Sequence, residues 1–128
     1  MKDSHRFYQC QKDGTLVGLI HSGGGTLSCC GEEMTELAAN TTDAAQEKHV
    51  PLAHVDGDRV TVDVGSVPHP MSEEHSIHWV YLLTQKGGQR KNLPFDGKPT
   101  VSFRLTEDDQ PVAVYAYCNL HGLWKAEL

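Results

Sequence analysis

Arg59-Val60-Thr61-Val62-Asp63-Val64 decides the fold: polar and apolar residues alternate without a break, the period of a strand with one face buried and the other wetted. Asp56-Gly57-Asp58 ahead of it reads as a hairpin turn, and the period of two runs on from residue 51. Toward the C-terminus, Ile77, Trp79, Tyr81 and Leu83 are spaced to share one strand face. So are Val101, Phe103 and Leu105, with Phe95-Asp96-Gly97-Lys98-Pro99 as the turn before them. Val112, Val114, Ala116 and Cys118 make a last alternating strand. Short strands, frequent turn signals and almost no helix predict an all-β chain, an antiparallel immunoglobulin-like β-sandwich.

Toward the N-terminus the character changes. Ala44-Ala45-Gln46-Glu47-Lys48 are good helix formers, Asn40-Thr41-Thr42-Asp43 offer N-caps, and Pro51 forces Val50 out of the helical region. A turn or two of helix ending at His49 is expected. Glu47, Lys48 and His49 then lie about 100° apart around its axis, so they cannot all face one site unless the segment is irregular. Residues 1–37 read as a separate small β unit: Phe7-Tyr8-Gln9-Cys10, a turn at Lys12-Asp13-Gly14, a strand from Thr15 to His21, then Gly23-Gly24-Gly25 and a return to Cys29-Cys30. So short a unit buries little apolar surface and needs a metal, a disulfide or a partner surface to fold. The expected division is therefore 1–37 and 38–128.

Seventeen acidic against eleven basic residues give a net charge of −6, with no basic block, which argues against nucleic acid or an anionic membrane as partner. No stretch approaches the roughly 18 apolar residues of a spanning helix, and the first residues carry no apolar signal segment. A cytoplasmic protein is expected. Cys29 and Cys30 are adjacent, so a bridge between them is strained, and metal ligation is the commoner use of such spacing inside cells.

Cys118-Asn119-Leu120-His121 places a thiol and an imidazole on one turn of backbone, at the end of the last alternating strand. His49, His69, His75 and His78 precede it, and loops at the ends of a sandwich can bring such residues together. One Cys with several His is a mixed soft and borderline donor set, suited to iron, copper or zinc. Singly, each has a plainer reading: Cys118 as a small buried hydrophobe, each His as a surface residue, Glu47-Lys48 as a solvated helix face. A blue-copper site would want a weak axial Met beyond the last His. Gly122-Leu123-Trp124-Lys125-Ala126-Glu127-Leu128 supplies none, and Met71 lies in the wrong place.

Four segments carry a family resemblance: Thr42-Asp43-Ala44-Ala45-Gln46-Glu47-Lys48-His49-Val50-Pro51, Val64-Gly65-Ser66-Val67-Pro68-His69-Pro70-Met71, His75-Ser76-Ile77-His78-Trp79 and Tyr117-Cys118-Asn119-Leu120-His121-Gly122-Leu123-Trp124. In that order and spacing they resemble the superoxide reductases, the desulfoferrodoxin and neelaredoxin family. The resemblance implies a mononuclear iron held by His49, His69, His75 and His121 in a square plane, with Cys118 axial and the sixth position open. It implies one-electron reduction of superoxide to hydrogen peroxide, with Lys48 attracting the anion and Glu47 able to take the open position on ferric iron. An external donor such as rubredoxin and a homodimer or higher oligomer are implied too. A non-catalytic iron electron carrier is the alternative. His78, His5, His21 and His54 match no ligand of the family and are assigned to the surface or to structure.

The family's N-terminal unit, similar to desulforedoxin, holds a second iron through Cys-x-x-Cys and a later Cys-Cys pair. Here Cys10, Cys29 and Cys30 are present, but Asp13 stands where the fourth thiolate would be. A tetrathiolate iron centre is excluded. The site is expected to be empty or labile, with zinc on three thiolates and a carboxylate as the alternative.

Overall fold

The computed structural model describes residues 6–128. The chain forms two compact units, Met1–Ala38 and Ala39–Leu128.

In the first unit β1 (Arg6–Gln9) lies between β2 (Leu16–Leu19) and β5 (Thr35–Glu36), antiparallel to both. A second hairpin pairs β3 (Ser28–Cys29) with β4 (Glu32–Glu33). The strand expected to reach His21 stops at Leu19, and Ile20 is 93% exposed. Buried apolar residues among those described are Phe7, Cys10 and Met34. So small a core is the poor one that the composition implies.

The second unit begins with a single short helix, α1 (Gln46–His49), which the extended Val50 ends before Pro51. Ala45 stands at its N-cap without a side-chain bond, so the polar run 40–43 does not cap it. Asn40 is used elsewhere: its amide donates to the Lys125 carbonyl at 3.0 Å and accepts from the Lys125 N–H at 2.8 Å. The seven strands that follow are β6 (Pro51–Asp56), β7 (Arg59–Val64), β8 (Ile77–Thr84), β9 (Gly87–Asn92), β10 (Thr100–Arg104), β11 (Pro111–Cys118) and β12 (Gly122–Glu127). They make two antiparallel sheets, β10-β7-β6 and β12-β11-β8-β9.

Between the sheets lies the core. Alternation on β7 sends Val60, Val62 and Val64 inward with Phe103 and Leu105, against Ile77, Val80, Leu82, Val114, Ala116 and Cys118 of the other sheet. Each fully buried Val, Leu or Phe contributes about 1.5–3 kcal/mol of hydrophobic stabilisation. Two of the expected faces are broken by bulges. Trp79 pairs with Tyr117 while Ile77 pairs with Cys118, so His78 is an extra residue on β8. Ile77 consequently joins Val80 and Leu82 in the core, and Trp79 turns to the other face, stacked on Tyr117 at 5.5 Å. A second slip between Pro111 and Ala113 takes Val112 out of the face shared by Val114, Ala116 and Cys118.

Candidate metal centre

His49 ends α1, His69 and His75 lie in the loop from β7 to β8, Cys118 ends β11, and His121 sits in the turn to β12. The donor atoms of these five residues all lie within 4.8 Å of one another. Neighbouring imidazoles meet edge to face in a closed ring. His49–His69 and His69–His75 both have centroids 4.6 Å apart, His75–His121 5.1 Å and His121–His49 4.9 Å, each pair 80–83° between planes. His49 and His75 face each other across it at 6.5 Å.

The hydrogen bonds say which nitrogens point inward. His49 Nδ1 lies 2.6 Å from the Ala45 carbonyl and His69 Nδ1 2.6 Å from the Pro70 carbonyl. A carbonyl only accepts, so both Nδ1 atoms carry the proton and both Nε2 atoms are bare lone pairs. These two Nε2 atoms stand 3.2 Å apart. Two lone pairs at that distance repel unless a cation sits between them and their neighbours. His75 Nε2 is likewise buried with no hydrogen-bond partner, a lone pair suited to a metal rather than to a protein donor. A soft thiol among four borderline imidazoles, two of them held by an outer carbonyl, fits iron well.

Burial prepares the donors. Desolvation lowers the proton affinity of His49 and His75 and brings the His69 pKa down to about 4, so these rings are neutral near pH 7. Burial also raises the Cys118 thiol, opposed by the Leu120 and His121 N–H groups directed at its sulfur. A bound metal must therefore displace that thiol proton.

Several residues that are not ligand candidates set this geometry. A Cβ on Gly65 would come 2.8 Å from both the Glu47 and the Val50 carbonyl oxygens, so only glycine lets the loop approach α1 that closely. The Val67 N–H donates to the Glu47 carbonyl at 2.9 Å, and the His69 N–H to that of Val64 at 2.8 Å. Asn119 accepts from the Ser76 N–H at 3.0 Å and donates to the Glu74 carbonyl at 2.9 Å, joining the His75 loop to the Cys118–His121 turn. Trp124 stacks on His49 at 4.9 Å and donates its indole N–H to the His121 carbonyl at 3.0 Å. In the sequence Gly65, Asn119 and Trp124 stand within the family-like segments, but nothing there gives them a role.

Glu47 and Lys48 are exposed on α1 while His49 turns inward, the divergence that helical geometry demands. His21, His54 and His78 are exposed, His54 lying 3.5 Å from Asp63. His5 is outside the described residues. The Met71 sulfur accepts the Ile77 N–H at 3.4 Å, and its side chain packs against the hydrophobic core.

A second cluster lies in the first unit, where Cys10, Asp13, Cys29 and Cys30 also bring their donor atoms within 4.8 Å of one another. The Thr15 N–H holds the Asp13 carboxyl far below the usual carboxylate range. Hydrogen bonding to Cys10, with desolvation and the nearby carboxylate, pushes the Cys29 thiol up to about 12.

A two-sheet sandwich carrying one thiol and four imidazoles at one end is the framework of a mononuclear metalloprotein. The sequence model described as Desulfoferrodoxin matches residues 41–127, and that described as Desulfoferrodoxin, N-terminal domain, matches residues 3–37. The chain belongs to the desulfoferrodoxin family. It is 43% identical over 127 residues to a desulfoferrodoxin of Syntrophotalea carbinolica, covering 99% of both chains. A crystal structure of the superoxide reductase from Treponema pallidum is similar with TM-score 0.83 and 44% identity, over 98% of this chain and 100% of that one. A superoxide reductase (1Fe-SOR) from Giardia intestinalis matches with TM-score 0.53 and 35% identity, over 64% of this chain and 99% of that one. No helix among the described residues is long and apolar enough to cross a membrane.

Proposed function

We propose that the protein is a superoxide reductase, with His49, His69, His75, His121 and Cys118 holding one iron. The observation that carries this reading is the pair of bare, buried Nε2 atoms 3.2 Å apart within a five-donor cluster. In this reading residues 38–128 are the iron domain, and residues 1–37 a desulforedoxin-like unit lacking one ligand cysteine. When bound, iron supplies the one-electron couple by which superoxide, with two protons, becomes hydrogen peroxide.

The chain's own residues do the rest. Four neutral imidazoles and one thiolate leave a divalent ion about one net positive charge, enough to draw an anion toward a protein of net −6. Lys48 adds a second positive charge next to His49, and that charge is felt at the ring, whose proton affinity it lowers. Glu47 supplies a carboxylate on the same exposed turn, available to compete with an anionic product. The sandwich keeps Cys118 fully buried, so its sulfur stays shielded from solvent and from oxidation. Electrons come from an external donor such as rubredoxin, in the cytoplasm, to a homodimer or higher oligomer.

Rapid mixing of the iron-loaded, reduced protein with superoxide tests this. A full equivalent of peroxide per superoxide, with no dioxygen, is expected. Release of dioxygen would mean dismutation, and an unreactive reduced protein would mean an electron carrier.

A further inference from the structure

We propose that Cys10, Asp13, Cys29 and Cys30 form a zinc site, a redox-silent replacement for the second iron that the resemblance implies. The substitution of Asp13 for a thiolate removes the tetrathiolate but not the cage. Asp13 Oδ2 lies 3.5 Å from Cys30 Sγ, and its Oδ1 and Oδ2 lie 3.8 and 3.9 Å from Cys29 Sγ. Cys29 and Cys30 sulfurs are 3.8 Å apart although the residues are adjacent. Neighbouring side chains on a strand would point to opposite faces. Both point the same way because Cys30 takes a left-handed backbone, φ 54°, a conformation that side chains other than Gly, Asn or Asp rarely adopt. Asp13 is aimed in advance, its Oδ1 accepting the Thr15 N–H at 3.0 Å. The Gly14 N–H to Cys10 carbonyl and the Cys10 N–H to Thr15 carbonyl bonds, both 2.9 Å, close the turn that brings Cys10 and Asp13 together.

Three sulfurs and one carboxylate oxygen suit zinc, which accepts Cys and Asp donors in a tetrahedral site without a preference from d-electrons. Zinc also stands above ferrous iron in the affinity order for such donors. On binding, three S–H bonds break and their protons pass to solvent, three Zn–S bonds and one Zn–O bond form, and no electron moves. The charge of the site is that of a four-thiolate zinc centre, since a carboxylate replaces a thiolate one for one. Such an ion also supplies what a unit with Phe7, Cys10 and Met34 as its buried apolar residues lacks.

The test uses the full chain with iron already in place, and its outcome is independent of the superoxide reaction. Metal analysis should find zinc equimolar with the chain, besides iron. Cobalt exchanged for that zinc should add thiolate-to-cobalt bands in the near ultraviolet and leave the iron spectrum unchanged. Asp13→Asn, close to isosteric, should lose zinc to a chelator about tenfold more readily or worse, and Cys30→Ser more so. Asp13→Cys should turn the site toward iron with a tetrathiolate spectrum. A second equivalent of iron in the unaltered protein would overturn the proposal. So would the lack of any second metal, or cobalt bands that both Asp13→Asn and Cys30→Ser leave unchanged.

Discussion

The two units put cysteines to different structural use. In the sandwich, Cys118 belongs to a core of Val, Ile, Leu and Phe side chains that exists whether or not a metal is bound, and the donors hang on a frame stabilised by hydrophobic burial. In the first unit, Cys10 is itself one of the few buried apolar residues among those described, with Phe7 and Met34, so a donor is part of the little there is to bury. Metal should therefore tune the sandwich and hold the smaller unit together.

The largest expected effect follows from that contrast. Stripping all metal from the full chain should expose backbone amides of 6–37 to rapid hydrogen exchange while β7, β8 and β11 stay protected. Equal protection loss in both units would break the comparison. On the sandwich side, Cys118→Ser should abolish the visible charge-transfer band of the ferric protein and most of the superoxide activity, with the melting temperature of the metal-free protein falling by only a few degrees. If band and activity both survive, another thiol is the ligand.

Next in size is Gly65→Ala, whose methyl group meets two backbone carbonyl oxygens at 2.8 Å. Neither can rotate away, so α1 must shift. A destabilisation of about 2–4 kcal/mol is expected in chemical denaturation, together with weaker iron retention through His49. An unchanged denaturation midpoint would show that the loop gives way instead.

The pH dependence of the metal-free sandwich sharpens the comparison further. The folded pKa of His69 is about 4 against 6.5 for the free group. Below 6.5 the unfolded chain binds a proton that the folded state refuses, so stability present above that pH is lost as pH falls toward 4. Thermal melts of the metal-free protein should show a decline between those values. Iron loading should make the decline steeper, because protons and metal compete for the same nitrogens. A flat profile would mean that the ring is solvated in solution.

Smallest is the effect of the exposed pair. One charge at roughly 6–8 Å from the anion, at an effective dielectric of about 40–80, is worth about 0.5–1.4 kcal/mol, or a factor of about 2–10 in rate. Lys48→Ile should lower the second-order rate with superoxide by that factor and flatten its dependence on salt. Glu47→Ala should leave the encounter unchanged and alter the ferric spectrum instead. A wild-type salt slope in Lys48→Ile would return Lys48 to a solvated helix face.

Much of this was legible in the sequence, and the misses share a cause. Strict alternation made β7 readable, because each inward Val needed only its own spacing. It failed on β8 and β11, where His78 and Val112 are extra residues. A bulge flips every later side chain and leaves no mark in composition. The ligand candidates were visible as residue types with a known order. The roles of Asn119, Trp124 and Gly65 were not, since each depends on a group distant in the chain: the Ser76 and Glu74 backbone for Asn119, the His49 ring for Trp124 and the Glu47 and Val50 carbonyls for Gly65.

Residue identity by itself determined that the chain is β-rich, that its donor set is one thiol with several imidazoles, and that a tetrathiolate centre is impossible once Asp13 stands beside Cys10, Cys29 and Cys30. Which nitrogen of His49 and of His69 faces the centre was settled only by the tertiary structure, through the Ala45 and Pro70 carbonyls that claim their Nδ1 protons. So was the direction of the Asp13 carboxylate, through the Thr15 N–H that holds it among the three sulfurs. A metal site is a matter of lone-pair direction, and direction is set by hydrogen bonds to backbone whose position depends on the whole fold.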